Sequence, residues 1–211
     1  NLDRIDGLTT LAVQSGAEVV SFHECAVTGY SYLQSVTRDE LFEVAEPVPD
    51  GPSCRTLAEI SARHGVPLLA GLVERDGESI YNTYVCMTPD GPVARFRKLH
   101  AFLNPHLSNG SEYCVFDMLG CRVGILVCYD NNLVENVRIT TLMGAEIIFM
   151  PHVTGCLPSV MPGRGLVDPR LWDNRQEDPV SLRQEFDGPK GRAWLMRWLP
   201  ARAYENGVHA V

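Results

Sequence analysis

Glu24, Lys98 and Cys128 each stand where an apolar or alternating run turns polar: VVSFHE, VARFRK and GILVC. A carboxylate, an ammonium and a thiol are the parts needed for acyl transfer through a cysteine nucleophile. A thiol with an ordinary pKa near ~8.5 is mostly protonated at neutral pH, so it needs a base to take its proton or a cation to favour the thiolate. Glu24 would supply the base and Lys98 the cation. Burial at a strand end would raise the carboxylate's pKa toward the working range, while the ammonium opposes that shift. Lys98 and the backbone N–H of Tyr129 would then stabilise the oxyanion of a tetrahedral intermediate, with no histidine required. Taken singly, the three have plainer readings: a salt-bridged strand terminus, a solvated rim charge and a small core residue. Only the set points to chemistry.

Composition narrows the alternatives. With 211 residues, 45% of them hydrophobic, the chain can bury one substantial core and reads as a single domain over 1–211. The net charge of −8 and the lack of clustered Lys and Arg argue against a nucleic-acid partner. No apolar run approaches the roughly 20 residues of a membrane span, so a soluble protein is expected. Seven cysteines (Cys25, Cys54, Cys86, Cys114, Cys121, Cys128 and Cys156) form no CxxC pair. Reduced, cytoplasmic thiols are therefore expected, with neither metal nor cofactor.

Helix-then-strand units must carry these residues. Leu2, Ile5, Leu8, Leu11 and Ala12 recur at helical spacing, with Asn1 as a cap and Gly16 as the stop, before a strand in AEVVSF. Asn132 with Glu135 resembles a capping box for a helix ending at Gly144, followed by a strand in AEIIFM. A third unit runs from a helix at about Ser53 to His64 into VPLLAGLVE, and a fourth reads RAYENGVHAV. Between them, SIYNTYVCMT, PVARFRKLH and CRVGILVC alternate around Asp76-Gly77, Asp90-Gly91 and Leu119-Gly120 turns, the pattern of a meander. The class is α/β, and the matching GAEVVSFHE and GAEIIFMPH segments predict two sheets or half-sheets related by pseudo-symmetry. Residues 155–192 are rich in Gly and Pro with little periodicity, and read as a long insertion or an active-site cover.

The order FHECAVTGY, RFRKLHAF and VCYDNN, with GAE before a strand and RAYEN near the end, resembles the nitrilase superfamily of carbon-nitrogen hydrolases. The resemblance spans essentially the whole chain. It implies a four-layer αββα sandwich and a Glu-Lys-Cys triad at Glu24, Lys98 and Cys128. It also implies assembly into a homodimer or larger homo-oligomer, and a chain incomplete at both termini. The implied reaction is attack by Cys128 on a substrate carbon, a thioester, and hydrolysis by water that Glu24 activates.

The departures from the family pattern matter too. His23 stands where proline commonly precedes the first glutamate. Many members carry a second glutamate in the loop after the lysine; here the aligned position holds His106, which would support the triad, with nearby Glu112 as the alternative. His100 and His152 read as structural or supporting groups. Tyr129-Asp130 after the thiol resembles the amidase and carbamoylase branches, so a small-molecule amide or N-carbamoyl substrate is expected ahead of a nitrile. Arg164, Arg170, Trp172 and Arg175 are candidates for recognising a substrate carboxylate. A non-catalytic platform with the same fold, or acyl transfer to an amine or lipid by the same triad, are the rival readings.

Overall fold

The computed structural model describes residues 1–153 and 155–211. In chain order, the first part contains α1 (Leu2–Gln14), β1 (Val20–Ser21), α2 (Tyr30–Leu33), α3 (Arg38–Val44), α4 (Pro52–His64), β2 (Leu68–Asp76), β3 (Ser79–Thr88) and β4 (Gly91–Arg97). Then come β5 (Cys114–Met118), β6 (Cys121–Ile125), a 3-10 turn (Cys128–Asn132), α5 (Val134–Leu142) and β7 (Ile147–Phe149). The last elements are α6 (Pro169–Asp173), α7 (Pro179–Asp187), α8 (Arg192–Leu195), α9 (Leu199–Asn206) and β8 (His209–Ala210).

Two four-stranded mixed sheets result, ordered β1-β2-β3-β4 and β5-β6-β7-β8. β1 pairs with β2 in parallel, and β2, β3 and β4 form an antiparallel meander. In the second sheet β5 and β6 are antiparallel, while β6, β7 and β8 run parallel. The predicted meander therefore breaks: CRVGILVC leaves the first sheet and becomes β6 of the second, paired with a strand over Cys114–Met118 that the pattern reading did not name. The two GAE segments lead into β1 and β7, one in each sheet, and each of these strands pairs in parallel with the strand after the next long helix of its unit.

Strand periodicity explains the layers. Leu68, Ala70, Leu72, Val85 and Met87 face Ile5 of α1 and Leu57 and Ile60 of α4. The alternate residues Leu69, Tyr84, Cys86 and Phe96 face Val123, Ile125 and Ile148 of the second sheet. Helices α5 and α9 cover that sheet, giving the αββα sandwich. α5 lies so close to β6 that a Cβ at Gly124 would collide with Thr140.

Local chemistry sets the helix ends. The predicted Asn132 capping box does not form, because Asn132 closes the 3-10 turn and the helix starts at Val134 with Leu133 before it. A full capping box occurs instead at Thr37 and Glu40 of α3. Asn1 does precede α1, but its side-chain amide donates to the Val27 carbonyl at 2.9 Å, so it caps no helical N–H. Residues 155–192 carry α6 and α7, whose Asp168 and Asp178 side chains accept from the helix N–H groups. No helix of the described residues is long and apolar enough to cross a membrane. The seven cysteines are free thiols.

Candidate active site

Glu24 lies three residues beyond β1, Lys98 directly follows β4, and Cys128 opens the 3-10 turn after β6. The first two belong to one sheet and the third to the other, so the site straddles the gap between the sheets. The Lys98 ammonium donates to Glu24 Oε2 at 2.9 Å, and the two side chains are 1% and 0% exposed. Asn82 Nδ2, from the middle of β3, donates to the same oxygen at 3.1 Å, and the Val153 N–H donates to Glu24 Oε1 at 3.3 Å. The carboxylate is thus held on both oxygens by three donors from three segments.

The thiol is presented by a bent backbone. β6 ends at Ile125, three residues before the end of the predicted CRVGILVC run, and Cys128 adopts a φ of 51°. A non-glycine residue in this left-handed region is held by its surroundings. Its N–H donates to the Pro151 carbonyl at 2.9 Å, while Asn131 Nδ2 donates to the carbonyls of Leu126 at 2.9 Å and Cys128 at 3.2 Å. From α9, the Arg202 guanidinium donates to the carbonyls of Asn131 and Asn132 at 3.3 Å and 3.2 Å.

The electrostatics follow from burial. Desolvation and the adjacent Glu24 charge push the Cys128 thiol up to about 12, against the opposing pull of Lys98, so the resting group is a protonated thiol. Burial disfavours the charged form of Lys98, but Glu24, Cys128 and Asp130 outweigh it and hold the ammonium above its ordinary value. Cys25, fully buried beside Glu24, is likewise held neutral by desolvation, and its thiol faces Asn82 Oδ1 at 3.5 Å. Tyr30 is 5% exposed; burial and the Glu24 charge raise its phenol, which puts that side chain against the same group of residues.

Other residues named from the sequence lie elsewhere. His106 is exposed, with its backbone N–H donating to Asn104 Oδ1 at 3.0 Å and no hydrogen bond to the three central residues among those described. Glu112 is exposed in a groove lined by Arg95, Arg97 and Tyr113. Leu103, Asn104 and Leu107 turn inward to the core, and His106 between them faces outward. Tyr129 is 40% exposed and stacks edge-on with His100 and Phe102, at centroid distances of 6.0 and 5.4 Å. His23 Nδ1 donates to the Glu24 carbonyl at 2.7 Å, fixing the turn that proline commonly shapes. His152 Nδ1 donates to the Met150 carbonyl at 2.5 Å, and burial lowers its pKa and keeps the ring neutral. Arg164 lies over Trp194, Arg175 over Trp172, and Arg170 pairs with Asp168, so all three engage their own end of the chain. No cluster of three or more His, Cys, Asp or Glu side chains among the described residues has the geometry to hold a metal.

Asn82 has no part in the sequence reading, and Asp130 enters it only as half of the Tyr129-Asp130 pair that points to substrate class. The available signal was polarity at positions the strand pattern buries: Asn82 within SIYNTYVCMT, and Asp130 two residues after the thiol.

The carbon-nitrogen hydrolase family model matches residues 1–211. The chain is 32% identical over 171 residues to a nitrilase of Pyrococcus abyssi (strain GE5 / Orsay), covering 79% of this chain and 64% of that one. It is 31% identical over 164 residues to the omega-amidase NIT2 of Pongo abelii, covering 72% of this chain and 57% of the relative. The chain thus spans less than two thirds of either relative's length. Among solved structures, Saccharomyces cerevisiae Nit3, a member of branch 10 of the nitrilase superfamily, superposes with a TM-score of 0.69 at 20% identity, over 100% of this chain and 67% of that one. The Nesterenkonia sp. AN1 amidase C145A mutant in complex with butyramide gives 0.66 at 21% identity, over 100% and 68%. At such identities these likenesses establish the shared fold.

Proposed function

We propose, from the premise that this chain belongs to the carbon-nitrogen hydrolase family, that the protein hydrolyses a non-peptide C–N bond of a small amide or N-carbamoyl compound through a thioester on Cys128. The observation that carries this reading is the buried contact of the Lys98 ammonium with Glu24 at 2.9 Å beside a protonated thiol. An ammonium and a carboxylate withdrawn from water are costly unless they serve one another or a ligand. Here they flank the nucleophile.

In this mechanism the Cys128 sulfur attacks the substrate carbonyl carbon while Glu24 takes the thiol proton, so no free thiolate need accumulate. The carbonyl oxygen gains negative charge, which Lys98 and the Tyr129 N–H stabilise. Among the described residues, that N–H donates to no backbone carbonyl outside its own turn. The C–N bond then breaks as Glu24 returns the proton to the departing ammonia or amine, leaving a thioester. Water, deprotonated by Glu24, attacks the thioester carbon; the C–S bond breaks, the acid leaves, and the sulfur recovers its proton. Lys98 serves in both halves, and in the resting site its neighbours hold the ammonium above its ordinary value.

The relatives, a nitrilase and an omega-amidase, bracket the bond type. Tyr129-Asp130 after the thiol favours the amide side. Assembly as a homodimer or larger homo-oligomer belongs to the same reading, with exposed Val134, Leu142 and Tyr204 on α5 and α9 as an apolar face. Residues 155–192 are proposed as a cover over the site. The test is ammonia release from panels of nitriles, amides and N-carbamoyl compounds, with Cys128→Ala as control. Turnover of amides that disappears in Cys128→Ala supports the reading. Activity surviving in Cys128→Ala defeats it.

A further inference from the structure

The reacting groups come from two sheets, so something must set the distance between them. Glu24 and Lys98 are fixed to each other within the first sheet, and Cys128 belongs to the second. The side chain that crosses the gap beside Lys98 and Cys128 is Asp130. It is 0% exposed and sits in the 3-10 turn two residues after the thiol. Its Oδ2 accepts from the Leu99 N–H at 3.2 Å and the Val127 N–H at 3.3 Å; its Oδ1 accepts from the His100 N–H at 3.0 Å and from His100 Nδ1 at 2.9 Å. One carboxylate therefore binds the residue before Cys128 and the two residues after Lys98. Its own carbonyl accepts from Asn136 Nδ2 at 2.9 Å, and Asn136 is fixed in turn by the Tyr113 hydroxyl at 2.8 Å.

We propose that Asp130 is a positioning residue that sets the separation between the Lys98 strand end and the Cys128 turn, and that His100 serves it as a fourth donor and not as a proton carrier. The proposal rests on the reading of Cys128 as nucleophile and extends it. Four donors on two oxygens exhaust most of what a carboxylate can accept, and no neutral side chain of that size offers the same capacity. Burial raises the Asp130 pKa, and His100, Lys98 and the two backbone donors oppose that shift by favouring the ionised form. The His100 ring, partly exposed, lies edge-on to Tyr129, and Tyr129 meets Phe102, whose face lies 5.0 Å from the Lys98 ammonium. The same anchor thus orders the aromatic cluster beside Lys98.

The geometry must hold to a few tenths of an ångström. A displacement of about 1 Å between reacting groups costs on the order of a hundredfold in rate. Asp130→Asn keeps the volume but retains one acceptor oxygen and turns an NH2 group toward N–H donors. In the intact protein it is expected to lower kcat about tenfold to a hundredfold while leaving KM nearly unchanged, counted per Cys128 titrated with iodoacetamide. Alkylation of Cys128 should slow in parallel, a readout that needs no amide turnover. His100→Ala should lower kcat several-fold, and His100→Asn, whose Nδ2 can donate from nearly the position of the imidazole Nδ1, should restore it with an unchanged pH profile. An Asp130→Asn protein with wild-type kcat per titrated thiol overturns the proposal, as does a His100→Asn protein as impaired as His100→Ala. Wild-type protein that hydrolyses no member of the substrate panels would instead defeat the underlying reading.

Discussion

Replacing Lys98 by methionine tests the buried pair through two observables that should separate. The side chain is 1% exposed, and methionine fills a similar volume without the charge. Removing one partner of a buried ion pair typically costs about 3–5 kcal/mol, because the other charge stays buried and uncompensated. Glu24 would still accept from Asn82 at 3.1 Å and Val153 at 3.3 Å, so the loss belongs at the lower end, about 3 kcal/mol. Adding Glu24→Gln removes the orphaned charge, and the double variant should recover most of that stability, since a buried pair replaced by neutral groups of similar volume is often about as stable. Activity should not recover. Loss of an oxyanion stabiliser alone costs about a hundredfold to a thousandfold in kcat, and the double variant also lacks its base. The assay is a four-protein cycle, with urea denaturation for stability and ammonia release for rate. A Lys98→Met protein as stable as wild type, or one that keeps substantial turnover, would refute the reasoning.

Further expectations concern the groups around the pair. The thiol's elevated pKa of about 12 has Glu24 among its causes, so ultraviolet titration of Glu24→Gln should find the Cys128 thiolate forming at lower pH than in wild type even as turnover is lost. Because the folded thiol's pKa lies above its unfolded value, it favours the native state below the unfolded pKa. That contribution falls as pH rises toward about 12, so Cys128→Ala should flatten part of the alkaline loss of stability seen in denaturation curves. Asn82→Leu, at a position 1% exposed, should leave Glu24 one donor short and lower kcat about tenfold, read in the ammonia assay. A Cβ at Gly71 of β2 would come 2.8 Å from the Glu24 Cα, so Gly71→Ala should cost about 1–3 kcal/mol in urea denaturation and depress kcat by shifting the base.

The elements most legible in the sequence were those with local signals. α4 ends at Gly65 in the left-handed conformation, as a C-terminal glycine predicts, and β2 and β3 fill the alternating runs named for them. Glu24, Lys98 and Cys128 stood out because each interrupts an apolar run near a strand end, and the structure brings all three to one spot. What pattern could not reveal was long-range pairing. The alternation in CRVGILVC is the same whichever sheet receives the strand, so its assignment to the second sheet had to come from tertiary contacts. Asn82 looks like any polar residue on a half-exposed strand until the second sheet covers it. Asp130 marks a motif but gives no hint that its acceptors reach back to residues 99 and 100. The outward course of His106 was hidden for the same reason: the loop's direction is decided by Leu103, Asn104 and Leu107 burying inward, and spacing from Lys98 does not encode that.

The most direct measurement is the intact mass of the protein acid-quenched during turnover of a slowly hydrolysed amide, with the modified peptide sequenced. An added acyl group on Cys128, absent from Cys128→Ala and failing to form at an appreciable rate in Glu24→Gln, is the predicted result. Ammonia release that proceeds with no acyl group on Cys128, or with the group on another side chain, would contradict the account.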